Sequence, residues 1–247
     1  MKKLLTKILG VGAIAVASTS GASEEIEYQT KLDTNLGQPA IVVRVSDQAI
    51  PPQDVKIILK GLEEEITGGV RYKSGETLQL GFMLNQFGEL KDGRLILEEP
   101  DMKSFPIKFI LSMNYTFKTL RNQKDVVESI GKSIELNFPS IRQAISVHKD
   151  YKSAKAVLLE RIAPEGSQSG WWVHIPGDAK SEDYSLTSLY QFALDRPDLV
   201  QYLALPIGAK VYDIKGNPIK IYLNDNEVTF RDGSYLAELN KRVSSKK

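Results

Sequence analysis

The chain has 247 residues, 42% hydrophobic and 26% charged, with 32 basic side chains against 31 acidic ones and no cysteine. That near-neutral balance argues against a nucleic-acid partner or an anionic membrane surface. The missing thiol removes disulfides, thiolate nucleophiles and thiolate metal ligands.

Met1 to Ala22 read as a secretory signal peptide: Lys2, Lys3 and Lys7 precede the apolar run ILGVGAIAVA, and STSGAS follows, with cleavage expected after Ala17 or Ala22. The apolar run is too short to span a bilayer of ~30 Å, which needs ~20 residues, so no stable membrane insertion is expected after cleavage. Removing these residues takes away three lysines and leaves 29 basic side chains against 31 acidic. The expected destination is the periplasm.

After a polar lead-in, AIVVRV at 40–45 reads as a strand. Pro51 and Pro52 open a segment whose Val55, Ile58, Leu59, Leu62 and Ile66 form one helical stripe, stopped by Gly68 and Gly69. Strand-like runs follow at TLQLGFML (77–84), GRLILEE (93–99) and FPIKFIL (105–111). Met113, Phe117, Leu120, Val127 and Ile130 then suit a second helix closed by Gly131. These elements make an amino-terminal α+β domain over 23–136.

Short extended runs resume at AISV (144–147), AVLLERI (156–162) and WWVHI (171–175). Ser185 is a candidate cap for a helix carrying Leu186, Leu189, Tyr190 and Ala193, and Pro197 suits the first turn of another. AKVYDIKGNPIKIYL is a hairpin with KGN at its tip, and KRVSSKK looks like a solvated tail. The second domain is set at 137–247, and the fold class is α+β, each domain a mainly antiparallel sheet with amphipathic helices packed on it.

The order SVHKD (146–150), LLERIAP (158–164), SGWWVHIPGD (169–178), EDY (182–184) and LDRPDLVQYLALPIGAKVYD (194–213) resembles a bacterial polymorphic-toxin immunity domain. The family is immunity family number thirty-three, formerly a domain of unknown function, and the resemblance covers roughly 140–215. It implies a non-catalytic protein that binds a toxin from a neighbouring cell and neutralises it. The cognate toxin is therefore the expected partner.

The two adjacent tryptophans define the candidate site. On a strand, Trp171, Val173 and Ile175 share one face and should form structural core, while Gly170, Trp172 and His174 share the other. If the helix expected at 185–195 covers that second face, Trp172 is a further core residue; if the face is open, it has the composition of a binding hot spot. The candidate partner-binding residues are Trp172, His174, Asp178, Asp183 and Tyr184.

Catalytic and metal chemistry find little support. Ser169, His174 and Asp178 can be written as a triad, but no nucleophile elbow accompanies them. His174 with Asp178 or Asp183 is too sparse for a metal, and no cofactor loop occurs. Asp225, Asn226 and Glu227 read as a hairpin turn. The competing functions are a periplasmic module binding a small ligand or cell-wall fragment between the domains, and a hydrolase using His174.

Overall fold

The computed structural model describes residues 2–4, 25–177 and 180–245. The signal-peptide cleavage sites, Asp178 and the last two lysines lie outside the described residues. The chain divides into two compact units, 1–120 and 121–247. Both sheets are mixed but mainly antiparallel, and among the described residues four α-helices accompany them, so the fold is α+β.

The first unit contains β1 (Lys2–Leu4), β2 (Ile26–Gln29), β3 (Ile41–Val45), α1 (Pro52–Thr67), β4 (Thr77–Leu80), β5 (Met83–Glu89), β6 (Leu95–Pro100) and β7 (Phe109–Ile110). Its sheet runs in the order β1-β4-β5-β6-β3-β2, with β7 beside β6. The stripe Val55, Ile58, Leu59, Leu62 and Ile66 is buried along α1. Gly69, at φ +99°, takes the left-handed step that follows the helix. TLQLGFML is two strands rather than one, because Gly81 at φ +57° turns the chain between them. FPIKFIL keeps only two strand residues, since its opening Phe105-Pro106 has no proline N–H to give a ladder.

Helix α2 (Asn114–Ile130) follows, and the division between the units falls within it. Its opening N–H groups, on Tyr115 and Thr116, donate to the buried carboxylate of Glu99 at 3.1 and 2.7 Å. That carboxylate, on β6, serves as the helix cap.

The second unit contains β8 (Ala144–His148), β9 (Ala156–Arg161), β10 (Gln168–His174), β11 (Tyr184–Ser188), α3 (Leu189–Asp195), β12 (Ala209–Ile214), β13 (Lys220–Leu223), β14 (Asn226–Glu227) and α4 (Tyr235–Ser244). The sheet order is β11-β8-β10-β9-β12-β13-β14, with one parallel pair, β8 and β10. Its inner face is apolar: Ile145, Val147, Val157, Leu159, Trp171, Val173, Val211 and Ile221 are all buried.

Three expectations are corrected here. Ser185 does not cap a helix: Tyr184–Ser188 is an edge strand on β8, and Ser188 caps α3 by accepting from Gln191 N–H at 3.0 Å. The alternation of YSLTS and the pairing offered by β8 outweigh helical periodicity there. The segment after Pro197 forms only a 3-10 turn at Val200–Tyr202. KRVSSKK is not wholly a tail, because 241–244 complete α4, which is anchored by buried Leu236.

Candidate functional site

Strand alternation separates the tryptophans. Trp171 is buried at 1% exposure, and its indole N–H donates to Leu203 O at 3.1 Å. Arg161, its cross-strand partner, lies over the same ring at 5.4 Å and is itself buried. Val173 continues this row, whereas Ile175 falls one residue past the end of β10 and is only half-buried, so it is not part of the fully buried row. Trp172 and His174 point the other way and are half-buried. The cover expected from a helix at 185–195 does not form: 185–188 belong to β11, only 189–195 are helical, and Trp172 stays partly exposed.

Register extends this outer face across the sheet. One row runs Leu186, Ser146, Trp172, Glu160, Lys210, Tyr222 and Glu227, each paired with the next. In the neighbouring row His174 pairs with Leu158, Leu158 with Tyr212, and Tyr212 with Lys220, while Tyr184 pairs with His148. Large side chains here remain open: Leu186 is 58% exposed and Tyr212 38%.

An aromatic cluster forms at the β10 and β11 end of the face. The Trp172 and His174 rings lie nearly parallel at 6.0 Å, and Tyr184 meets them edge-on at 5.6 and 5.4 Å. Tyr184 Oη is 2.7 Å from His174 Nδ1. His148, buried, meets the Tyr184 ring edge-on at 5.6 Å. Beyond the cluster, Tyr212 and Tyr222 pack edge-on at 5.4 Å.

Gly170 makes this arrangement possible. It adopts φ +79°, and a Cβ there would lie 2.2 Å from Ile162 O. The pairing with β8 is irregular at this point: four steps along β10, from Gln168 to Trp172, match two along β8, from Ala144 to Ser146. This bulge re-aims the chain just before the tryptophans.

Charges on the face are mutually paired. Lys210 Nζ sits 3.5 Å from Glu160 and 2.7 Å from Asp225. His174 Nε2 is 3.4 Å from Glu160 Oε2 but off the hydrogen-bond axis, and has no other partner. Burial pushes the His174 pKa down, and the Glu160 carboxylate offsets only part of that shift. The ring is therefore neutral at pH 7; the Glu160 carboxylate beside Nε2 favours the proton on that nitrogen, which leaves Nδ1 to accept from Tyr184. Asp183 is half-buried, and its hydrogen bond from Lys149 at 2.7 Å holds its carboxyl below the usual range.

The shift sets an acid sensitivity. The unfolded chain takes up a proton on this imidazole near pH ~6.5, the folded chain only at lower pH, so stability falls as the pH drops below that point and levels off once the folded ring titrates. The expected result is a thermal midpoint that declines between pH 7 and 5, with a shallower decline in His174→Gln. Equal slopes for both proteins would refute the assignment.

Of the expected partner-binding residues, the structure brings together Trp172, His174 and Tyr184. Asp183 stands beside them in a turn, tied to Lys149, and Asp178 lies outside the described residues. Glu160, Lys210, Tyr212, Tyr222 and Leu158 are not among the candidate site residues of the sequence, and Leu186 enters there only as a helix position. Their strands alternate visibly, but only the register shows that they share the Trp172 face. The Ser169 hydroxyl is buried and donates to Ala144 O at 2.8 Å, which commits it to the backbone. Among the described residues no group of three His, Cys, Asp or Glu side chains is placed to hold a metal, and no helix is long and apolar enough to cross a membrane.

With this face in view, the chain can be set against known families. Residues 122–222 match the Imm33-like domain. The matched span lies in the second unit and contains every strand from β8 to β12, hence the whole aromatic cluster. It also contains the 140–215 stretch on which the immunity-family resemblance rests. The Imm33-like domain thus points to an immunity-type protein with a protein partner. No curated protein and no solved structure matches the chain.

Proposed function

We propose that this is an exported, non-catalytic immunity protein that binds a cognate toxin and neutralises it in the periplasm. The toxin docks on the outer face of the Imm33-like sheet. The observation that carries this reading is the half-exposed cluster of Trp172, His174 and Tyr184, continued by Tyr212 and Leu186 on one open sheet face. Aromatic anchors ringed by polar groups are the usual composition of an interface hot spot. The mutually neutralised ion pair of Glu160 and Lys210 lets the middle of the face be covered without stranding a lone charge. The Lys-rich, apolar amino terminus supports export.

The test uses the product of the reading frame beside the gene, with the mature protein titrated calorimetrically and cells assayed for protection. Trp172→Ala and Tyr212→Ala are each expected to weaken binding by ~30-fold or more, equivalent to ~2 kcal/mol, while leaving the fold intact. Affinities unchanged within a few tenths of a kcal/mol in Trp172→Ala and Asp183→Ala would remove this face. Failure of the wild-type protein to protect would remove immunity itself.

A further inference from the structure

Strand β11 ends the sheet. Its backbone alternates in direction: Lys149 N–H donates to Asp183 O and Leu189 N–H to Gln143 O, both at 2.8 Å, which fixes residues 183, 185, 187 and 189 toward β8. The N–H and C=O of Leu186, the C=O of Tyr184 and the N–H of Ser188 therefore point away from the sheet. Among the described residues no strand pairs with them.

Exposed edges are normally blunted by lysine, proline, a bulge or extreme shortness. The opposite edge, β14, follows that rule with two polar residues after left-handed Asn224 and Asp225. Tyr184–Ser188 has none of these devices, and its central Leu186 is 58% exposed.

We infer that β11 pairs antiparallel with β11 of a second copy, about a two-fold axis through Leu186. In this register Leu186 faces Leu186, Tyr184 faces Ser188, and Ser185 faces Thr187. Apolar meets apolar, hydroxyl meets hydroxyl, and no like charges oppose each other. Two bonds form between the Leu186 residues, and each Ser188 N–H reaches a Tyr184 C=O.

Neighbouring registers are poorer. One centred on Ser185 needs the Tyr184 N–H, which already donates to Ser181 O. One centred on Thr187 needs the Ser188 C=O, which as the α3 N-cap carbonyl opens the helix. Because Leu186 shares its row with Trp172, the dimer sets the aromatic faces of both copies on one continuous sheet.

A five-residue pairing buries less than the ~1,200 Å² of a standard interface, so the dimer is weak. Sedimentation equilibrium of the mature full-length chain between ~1 and ~200 μM, where weak interfaces report, tests it. The expected result is concentration-dependent dimerisation, with the dissociation constant raised at least tenfold by Leu186→Lys, an exposed position where folding is unaffected. The chain has no cysteine, so Leu186→Cys provides a clean second probe. It should form an intermolecular disulfide in air faster than Ile162→Cys, a comparably exposed control. A monomer throughout the range, a dimer indifferent to Leu186→Lys, or equal oxidation rates for the two cysteines would overturn the pairing.

Discussion

Trp171→Ala is expected to lower the unfolding free energy by ~3–5 kcal/mol, the range for truncating a large buried aromatic. Three losses combine at this site. The indole is 1% exposed, so its removal leaves a cavity on the inner face of the Imm33-like sheet. Its N–H no longer donates to Leu203 O, a buried carbonyl. The Arg161 guanidinium loses the ring beneath it. Trp172→Ala, one residue away, should cost well under half as much, because its ring is already partly in water. Urea titrations of the two variants check this directly. Comparable destabilisation by both would mean that the faces are not divided as described.

Arg161→Ala should destabilise by a similar ~3–4 kcal/mol, the scale of a buried polar network left unsatisfied. Arg161 is buried, and its guanidinium donates to Asn137 O, Leu203 O and Leu205 O, and at 3.1 Å to Asn137 Oδ1. Burial lowers its pKa to about 10, which still leaves it charged at neutral pH. Among the described residues no carboxylate pairs with it, so the charge is held by amide dipoles, those of Leu203 and Leu205 just after the 3-10 turn at Val200–Tyr202 and those of Asn137. Arg161 and Trp171 together fasten that segment to the sheet. Arg161→Lys should recover less than half of the loss, since one ammonium cannot span Asn137 and both leucine carbonyls. Full recovery by lysine, measured by the same titrations, would show that charge alone matters.

Both residues were reachable from the sequence to different degrees. WWVHI places adjacent side chains on opposite faces wherever it forms a strand, so the need for two environments follows from local geometry. The stripes of α1 and the apolar residues of α2 are local in the same way, as is the kinship carried by ordered short motifs from residue 146 onward. Arg161 entered only as part of such a motif, because nothing in LLERIAP says that three distant carbonyls converge on it.

The composition of the face around Trp172 belongs to the tertiary structure. Glu160, Lys210, Tyr212 and Tyr222 lie up to 50 residues from Trp172 along the chain, Tyr222 being the farthest, and only strand order and register bring them beside the tryptophan. On the other side, the Gly170 bulge shifts β10 against β8 and so sets which residues of β8 and β11 join the Trp172 row; at that bulge Ile162 O approaches too closely for any Cβ. Likewise, whether 184–188 coiled or extended was settled by the hydrogen bonds β8 could offer. Periodicity is a property of neighbours in sequence, so the chain alone determined that β10 has two unlike faces. Burial and pairing are properties of neighbours in space, so only the folded sheet decided which face is sealed and which is left open to a partner.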